Sequence, residues 1–515
     1  MSKMLSRIGL VSAMTLMSRV FGLFRDILVT AVFGTSLLNS AFATAFTLPN
    51  LFRRLLGEGA LSAALMPHLS EELEEDGKEA VFRLINKTLS WLVIVCLLVI
   101  GVAYVGFEYI ERNWVSSEWI LTAGIAKLVF PYILFICLAA VVSAGLNLLG
   151  RFAIPAMTAV WLNCSILILL GIGGWLWGEG AREKMNFLCG GVMIGGALQL
   201  IAPSVALMRE GWRPRLDYSV STRLKAVLFL TLPGIYGTAA HQINIMVSRV
   251  LALDFNDSGA ALINLANRLV ELPMGVFVIA ISTVVFPALA KASASGRNED
   301  FSVTYRNGIS LSIMMALPAA VGLSILAPEI IATLFEHGEF TESDTADLVP
   351  ILIICAIGMP FYSFVSIEVR AYYSLKDVKT PVKSSTIALV LNLALSITLL
   401  RWLNRIEALV IASNVAVVLQ ATYLHFGLRS KGINLRLRLV LPTIFKFICG
   451  SVVMGIVLWF GKWGLEQFDF GIWRSSVYLV ILIPLGALVY FVFLKALGLR
   501  EIEEVLTAIR KKRRN

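Results

Sequence analysis

Charge is scarce in this chain. Asp, Glu, Lys and Arg make up 15% of its 515 residues, against roughly a quarter in soluble domains. That scarcity sets aside the two to four soluble domains the length alone would suggest. Histidine is scarcer still: His68, His241, His337 and His425 stand far apart and form no metal motif, so a metal site has no support. The six cysteines (Cys96, Cys137, Cys164, Cys189, Cys355, Cys449) are scattered through apolar segments. They show neither pairing nor metal spacing and read as buried thiols. No G-x-x-x-x-G-K-[ST] occurs, and no G-x-G-x-x-G follows a strand, which removes ATP-driven transport within the chain. Long polar connections are missing too. The longest runs to roughly seventeen residues, leaving no room for an extramembrane catalytic or nucleotide-binding domain.

What is present is apolar. Hydrophobic residues reach 58% and mean hydropathy is +0.81. Apolar runs of about twenty residues recur from end to end, as membrane spans require. The pattern predicts an all-α polytopic membrane protein of about fourteen transmembrane helices. The first lies near 7–33 and the second near 37–66; the eighth lies near 259–290 and the last pair near 440–461 and 475–497. The first run lacks an A-x-A-like cleavage site and contains Arg19, Arg25 and Asp26, so it reads as helix one rather than a removable leader.

Net charge is +10, and its distribution matters more than its size. With the N-terminus inside, cytoplasmic links and both termini hold about 29 Lys/Arg against about 7 outside. Arg209–Lys225, Arg370–Lys383, Arg429–Arg438 and the tail Arg510–Arg514 supply most of that excess. Both termini are therefore expected in the cytoplasm. Anionic lipid headgroups account for the basic tail, so no nucleic-acid partner is expected.

The chain also reads as duplicated. Leu48–Pro49 and Pro67 are echoed by Leu272–Pro273 and Pro287, and Pro131, Pro155 and Asn163 by Pro350, Pro381 and Asn392. Two six-helix lobes, 1–215 and 216–432, would then share one orientation about a pseudo-two-fold along the membrane normal. Residues 433–515 add a helix pair and the basic cytoplasmic tail.

Charges inside the spans carry the functional signal. Lys127, Arg249 and Lys446 lie near span ends, where snorkelling explains them. Five arginines need another reason. Ser12, Thr15, Arg19, Gly22 and Asp26 form one stripe of helix one, with Arg25 at its margin. Helix two repeats the pattern with Thr47, Asn50, Arg53, Arg54 and Glu58, and Pro49 is expected to bend it and free backbone groups toward a cavity. Helix eight places Asn264, Arg268, Glu271 and Gly275 on one face. The plain alternative is internal ion pairing, Arg25 with Asp26 and Arg268 with Glu271. Arg19, Arg25, Arg53, Arg54 and Arg268 nevertheless outnumber Asp26, Glu58 and Glu271. An intramembrane charge costs roughly 2.5–3.5 kcal/mol even on the lenient insertion scale, so the excess points to a wet cavity for an anionic substrate. A guanidinium suits phosphate oxygens and stays charged.

The same residues carry a family likeness. Ser18-Arg19-Val20-Phe21-Gly22-Leu23-Phe24-Arg25-Asp26 with Phe33-Gly34 resembles the N-terminal signature of the MviN/MurJ family of lipid II flippases. So do Leu48-Pro49-Asn50-Leu51-Phe52-Arg53-Arg54 with Gly57-Glu58-Gly59-Ala60, then Asn267-Arg268-Leu269 with Glu271, Pro273 and Gly275, and Lys376-Asp377-Val378-Lys379-Thr380-Pro381. The resemblance implies the fold of the multidrug/oligosaccharidyl-lipid/polysaccharide exporter superfamily. It implies that Arg19, Arg25 and Arg268 bind a lipid pyrophosphate, that Arg53 and Arg54 matter beside them, and that Asp26 orients the arginines. Glu58, Glu271, Asn50 and Gly22 take orienting or gating places, and the last helix pair forms a groove for a polyprenyl tail. Two departures, Ser40 and Asn267, each stand where the family commonly carries an acidic residue, which weakens any gating role for those carboxylates.

The implied function is a flippase, not an enzyme. It moves lipid II, the undecaprenyl-pyrophosphate glycopeptide, across the bacterial inner membrane by alternating access, as a monomer among membrane lipids and without a cofactor. Coupling to membrane potential or to a monovalent cation is open; Gln242, Asn244 and Asn392 are candidates whose plain reading is helix–helix hydrogen bonding. The rivals are an exporter of another polyprenyl-linked glycan or a drug cation, and an intramembrane polyprenyl-phosphate enzyme. A drug-cation exporter wants excess carboxylate in its cavity. An enzyme wants a carboxylate pair or a His cluster near one membrane face, and Asp26, Glu58 and Glu271 lie on three separate helices.

Overall fold

The computed structural model describes residues 2–57, 60–114, 116–275, 279–431, 433 and 436–499, and among these the regular elements are all helical. Among the described residues nine helices are long and apolar enough to cross a bilayer; the bent pair Ser117–Val129 and Tyr132–Leu148 makes up to ten. Large apolar side chains point outward along them, including Val102, Trp402, Trp459 and Val480, each exposed. Bare hydrocarbon on so many helices is unfavourable in water and ordinary against lipid.

Packing divides the chain into two compact units, Met1–Ala261 with Gly338–Phe340, and Leu262–His337 with Thr341–Asn515. The first is built on Val81, Ile85, Val129, Phe130, Val142, Leu188 and Leu207, all buried. A close helix contact is made by Gly191 and Gly195 in helix Ala181–Arg209. A methyl at Gly191 would sit 2.8 Å from Ile166 Cα, and one at Gly195 2.8 Å from Leu162 Cα. Glycines four apart open a groove into which helix Thr158–Ile168 lies.

The second unit packs around Tyr305, Tyr372, Phe447, Tyr490 and Leu494. Tyr490 donates to Met314 O at 2.8 Å, and Lys462 pairs with buried Glu329 at 2.6 Å, so Tyr490 and Glu329 each find a partner on another helix. Helix Glu342–Ser374 starts on a Thr341–Asp344 capping box, which satisfies the first amides of a long span.

Each unit also contains an interrupted, charged helix. Leu37–Ala45 and Thr47–Phe52 meet at Phe46 and run into a π-turn at Arg53–Gly57. Gly259–Pro273 is followed by a π-turn at residues 274–275, and Ile279–Ala294 continues beyond. The interruptions fall at the two Leu-Pro echoes of the sequence. Proline cannot donate, so the carbonyl one turn before it is released at each place.

Candidate functional site

Helix Ser2–Phe33 carries the first cluster. At 1.5 Å per residue its 32 residues reach about 48 Å, and Arg19 stands near the middle of that length. Arg19 is half-buried and makes no hydrogen bond or ion pair with any described residue. Gly22, one turn on, is buried. Arg25 is differently placed. Its Nε and Nη2 both donate to Asp26 Oδ1, at 3.0 and 2.7 Å, and its Nη1 donates to Asn163 Oδ1 at 3.0 Å. Asn163 in turn donates to Ser18 O at 3.3 Å. The pair is largely buried, with side-chain exposures of 18% and 13%. Internal pairing is thus realised for Arg25, and the cluster of Arg19, Arg25 and Asp26 retains one net positive charge, on Arg19.

The interrupted second helix carries the next group. Asn50 Nδ2 donates to Phe46 O at 3.0 Å, bridging the break, and Arg53 Nε donates to Asn50 Oδ1 at 3.2 Å. Arg54 is half-buried. Glu58 lies outside the described residues. Arg249, expected to snorkel, instead turns into the first unit: its Nη1 donates to Ala43 O at 3.1 Å and to Thr47 Oγ1 at 2.5 Å. A carbonyl and a hydroxyl within reach are nearer acceptors than a distant headgroup. Lys127 is corrected in the same way, since it donates to Glu108 at 2.6 Å and Glu111 at 2.5 Å. Lys446 does reach an exposed helix end, at Leu497 O, 3.2 Å away.

In the second unit Arg268 Nη1 pairs with Glu271 Oε2 at 3.2 Å, one turn along the same helix, with exposures of 34% and 58%. Asn392 accepts from Ser396 at 3.4 Å and from Ser413 of the next helix at 3.2 Å. Those contacts match the helix–helix reading of Asn392. The Lys376–Pro381 motif is a tight turn through Lys376, whose φ is 57°. Asp377 accepts from Thr380 N at 3.0 Å, from Thr380 Oγ1 at 2.7 Å and from Lys431 Nζ at 2.9 Å. Partial burial pushes its carboxyl up, but those hydrogen bonds and the Lys431 charge prevail and bring it down to about 2.

Asn163, Arg249 and Thr47 are the polar partners that the sequence did not single out as site residues. Asn163 and Arg249 stand inside apolar runs, which is the signal the sequence offers, and there Asn163 reads only as a repeat marker. Among the described residues no group of three or more His, Cys, Asp or Glu is arranged to hold a metal ion. What the first unit assembles is a guanidinium fixed by two partners, and one turn and a half away a guanidinium with none. Such a pair can hold an anion with phosphate geometry.

The chain is similar to several known proteins. A family model described as "Lipid II flippase MurJ" matches residues 29–477. A relative in Vibrio cholerae, named a probable lipid II flippase MurJ, is 30% identical over 517 residues, covering 97% of both chains. One of the same name in Bdellovibrio bacteriovorus is 31% identical, covering 98% of this chain and 96% of its own. Among solved structures, a lipid II flippase MurJ in an inward closed conformation superposes with a TM-score of 0.78 at 26% identity, covering 95% of this chain and 98% of that one. An inward-facing multidrug transporter of the MATE family and MOP superfamily matches at 0.67 with 14% identity over 82% of this chain and 97% of its own, a likeness of fold alone.

Proposed function

This chain belongs to the lipid II flippase MurJ family, and from that premise we propose that it carries lipid II from the inner to the outer leaflet of a bacterial inner membrane. It is a transporter rather than an enzyme. The agreement with lipid II flippases over nearly the whole chain, in sequence and in fold, is the observation that carries this reading. Drug export fails to account for the same residues, because a half-buried arginine without a counter-ion repels a cation.

In this reading Arg19 takes the pyrophosphate directly. Arg25 presents the remaining edge of its guanidinium beside it, held by Asp26 and Asn163. Arg268 contributes when Glu271 lets it go; that i,i+3 pair is partly exposed and therefore weak. Arg53 and Arg54, seated in a π-turn, change direction readily when the helix closes up. Asn50, Gly22 and Glu58 take supporting places around them. The proposed topology has fourteen spans. The up to ten apolar spans are joined by the arginine-bearing regions 2–33, 37–75, 222–255 and 259–294. Two six-helix lobes, 1–215 and 216–432, precede a pair from 433 on, with both termini cytoplasmic. The protein works as a monomer, and membrane potential acting on cavity charge biases the cycle, at roughly 2.3 kcal/mol per charge per 100 mV.

The test uses purified protein in liposomes with fluorescent lipid II. Wild type is expected to translocate it, Arg19→Ala to lose at least tenfold, and Arg19→Lys to keep part of the rate. Equal rates for wild type and Arg19→Ala would remove Arg19 from the site, and no translocation by folded wild type would overturn the substrate.

A further inference from the structure

Away from the arginines, the second unit buries a carboxylic acid that the transport reading does not use. Glu368, in helix Glu342–Ser374, has no exposed surface. Its Oε1 accepts from Tyr305 OH at 3.2 Å, and its Oε2 has no partner. Across from it, on helix Glu407–Ser430, His425 Nδ1 lies 3.9 Å from Glu368 Oε1 and is also buried without a hydrogen bond. The remainder of the imidazole is 21% exposed and is flanked by Phe364 and Phe426.

Each protonation state of Glu368 is costly in this arrangement. A carboxylate with one neutral donor in a dry core is poorly solvated. A carboxylic acid whose hydroxyl has no acceptor leaves a buried donor unmet. Histidine, the side chain that titrates in the physiological range, faces it. The gap exceeds a hydrogen bond by about 1 Å, so one proton placed between the two groups, with a small closing of the helices, satisfies both.

The surroundings leave that proton to the pair. From helix Asn298–Ile325 comes Tyr305, while its neighbour Arg306 is paired with Glu299. Arg370 is bonded to Ser366 O and Oγ, at 2.9 and 2.6 Å, and Ser282 of helix Ile279–Ala294 meets the same Ser366. Tyr372 donates to Leu424 O at 2.8 Å. Arg429, four residues on from His425, is the other charge acting on it. Lys291 and Lys383, on the neighbouring helices, are exposed, and Lys446 is taken by Leu497 O.

We propose that Glu368 and His425 form a proton-binding site, and that its occupancy sets the packing of helix Glu407–Ser430 on helix Glu342–Ser374 and so makes transport pH-dependent. The proton comes from water at the exposed edge of His425, at the helix ends near the Asp377 turn. It leaves hydronium and adds to Glu368, whose O–H is then shared with His425 Nδ1; one O–H bond breaks in hydronium as another forms on the carboxyl, the pair's charge rises by one, and nothing is oxidised or reduced. The two groups titrate as a unit. The pH effect rests on the transport reading of the preceding section; the proton site itself does not.

The experiment has two readouts on the whole protein. In detergent, infrared difference spectra across pH follow the carboxylic-acid carbonyl, which is expected to titrate in wild type and to vanish in Glu368→Gln. In liposomes, lipid II translocation is expected to show a one-proton limb that coincides with the carbonyl titration, flattened in Glu368→Gln and in His425→Gln. Tyr305→Phe, which removes only a donor, is expected to move the midpoint of both curves and serves if Glu368→Gln does not fold. A limb retained in folded Glu368→Gln, or no titrating carbonyl in wild type, overturns the proposal. A titrating carbonyl in a protein that translocates no lipid II at any pH upholds the proton site and overturns the transport reading instead.

Discussion

Arg25 is held from two sides, by Asp26 on its own helix and by Asn163 on another, and the second contact fixes its direction. Adjacent residues on a helix point about 100° apart, so Asp26 alone cannot aim the guanidinium. Asn163→Ala removes that support without touching charge. A hydrogen bond to a charged group is worth roughly 1.5–3 kcal/mol, so transport is expected to fall about tenfold or more at unchanged expression, measured as lipid II translocation in liposomes. Asp377 gives a stability prediction with a definite sign. Its folded carboxyl lies at about 2, below its ordinary 3.8. The stabilisation is therefore present above about pH 4, and is lost as pH falls through the interval down to the folded value. Asp377→Asn is expected to cost about 1 kcal/mol of stability at pH 7 once solvent screening is allowed for, read as a lower melting temperature in detergent. The deficit should shrink on acidification below pH 4; a deficit independent of pH would contradict the assignment. At this scale the sequence was legible where partners are close along the chain. Arg25 with Asp26 and Arg268 with Glu271 were both weighed as pairs. Asn163 stands 138 residues from Arg25, and no local pattern joins them.

Helices set the next scale. The apolar runs read as spans because burial in lipid demands about twenty apolar residues in a row, a pattern a sequence displays openly. Their interruptions were half-legible. Pro49 announced a bend in helix two, yet the break lies at Phe46, and the Ala43 carbonyl just before it accepts from both Thr47 Oγ1 and Arg249. A span-end arginine reads as snorkelling until the carbonyl that captures it is seen. Gly195 makes a prediction here. Replacing it by Val drives a branched side chain into Leu162 Cα, which a single methyl already approaches to 2.8 Å. Overpacking of this kind costs about 1–3 kcal/mol. The melting temperature in detergent should fall accordingly, while Gly180→Val, whose site is open, should change little.

For the whole molecule the fold class was legible and the arrangement of parts was not. Composition and hydropathy lead directly to a helical membrane protein, and the Arg19–Asp26 signature leads to the family. Membership of two compact units follows from side-chain packing, which hydropathy does not encode. Orientation follows from charge, and it is testable without function. A cysteine at Tyr218, in the basic link after Arg209, should be shielded from an impermeant thiol reagent added outside intact cells. A cysteine at Glu339 should be labelled. The native thiols at Cys96, Cys137, Cys189 and Cys355 are buried and should contribute little background. The reverse labelling pattern would invert the proposed topology.

The central claim is that this chain flips lipid II by means of its intramembrane arginines. It is tested most directly in cells depleted of their own flippase, by following outer-leaflet lipid II through its cleavage by an externally added enzyme. Rescue by the wild-type chain and loss of rescue with Arg25→Ala, at equal expression, is the predicted result. A well-expressed wild-type chain that leaves lipid II inaccessible from outside would contradict it.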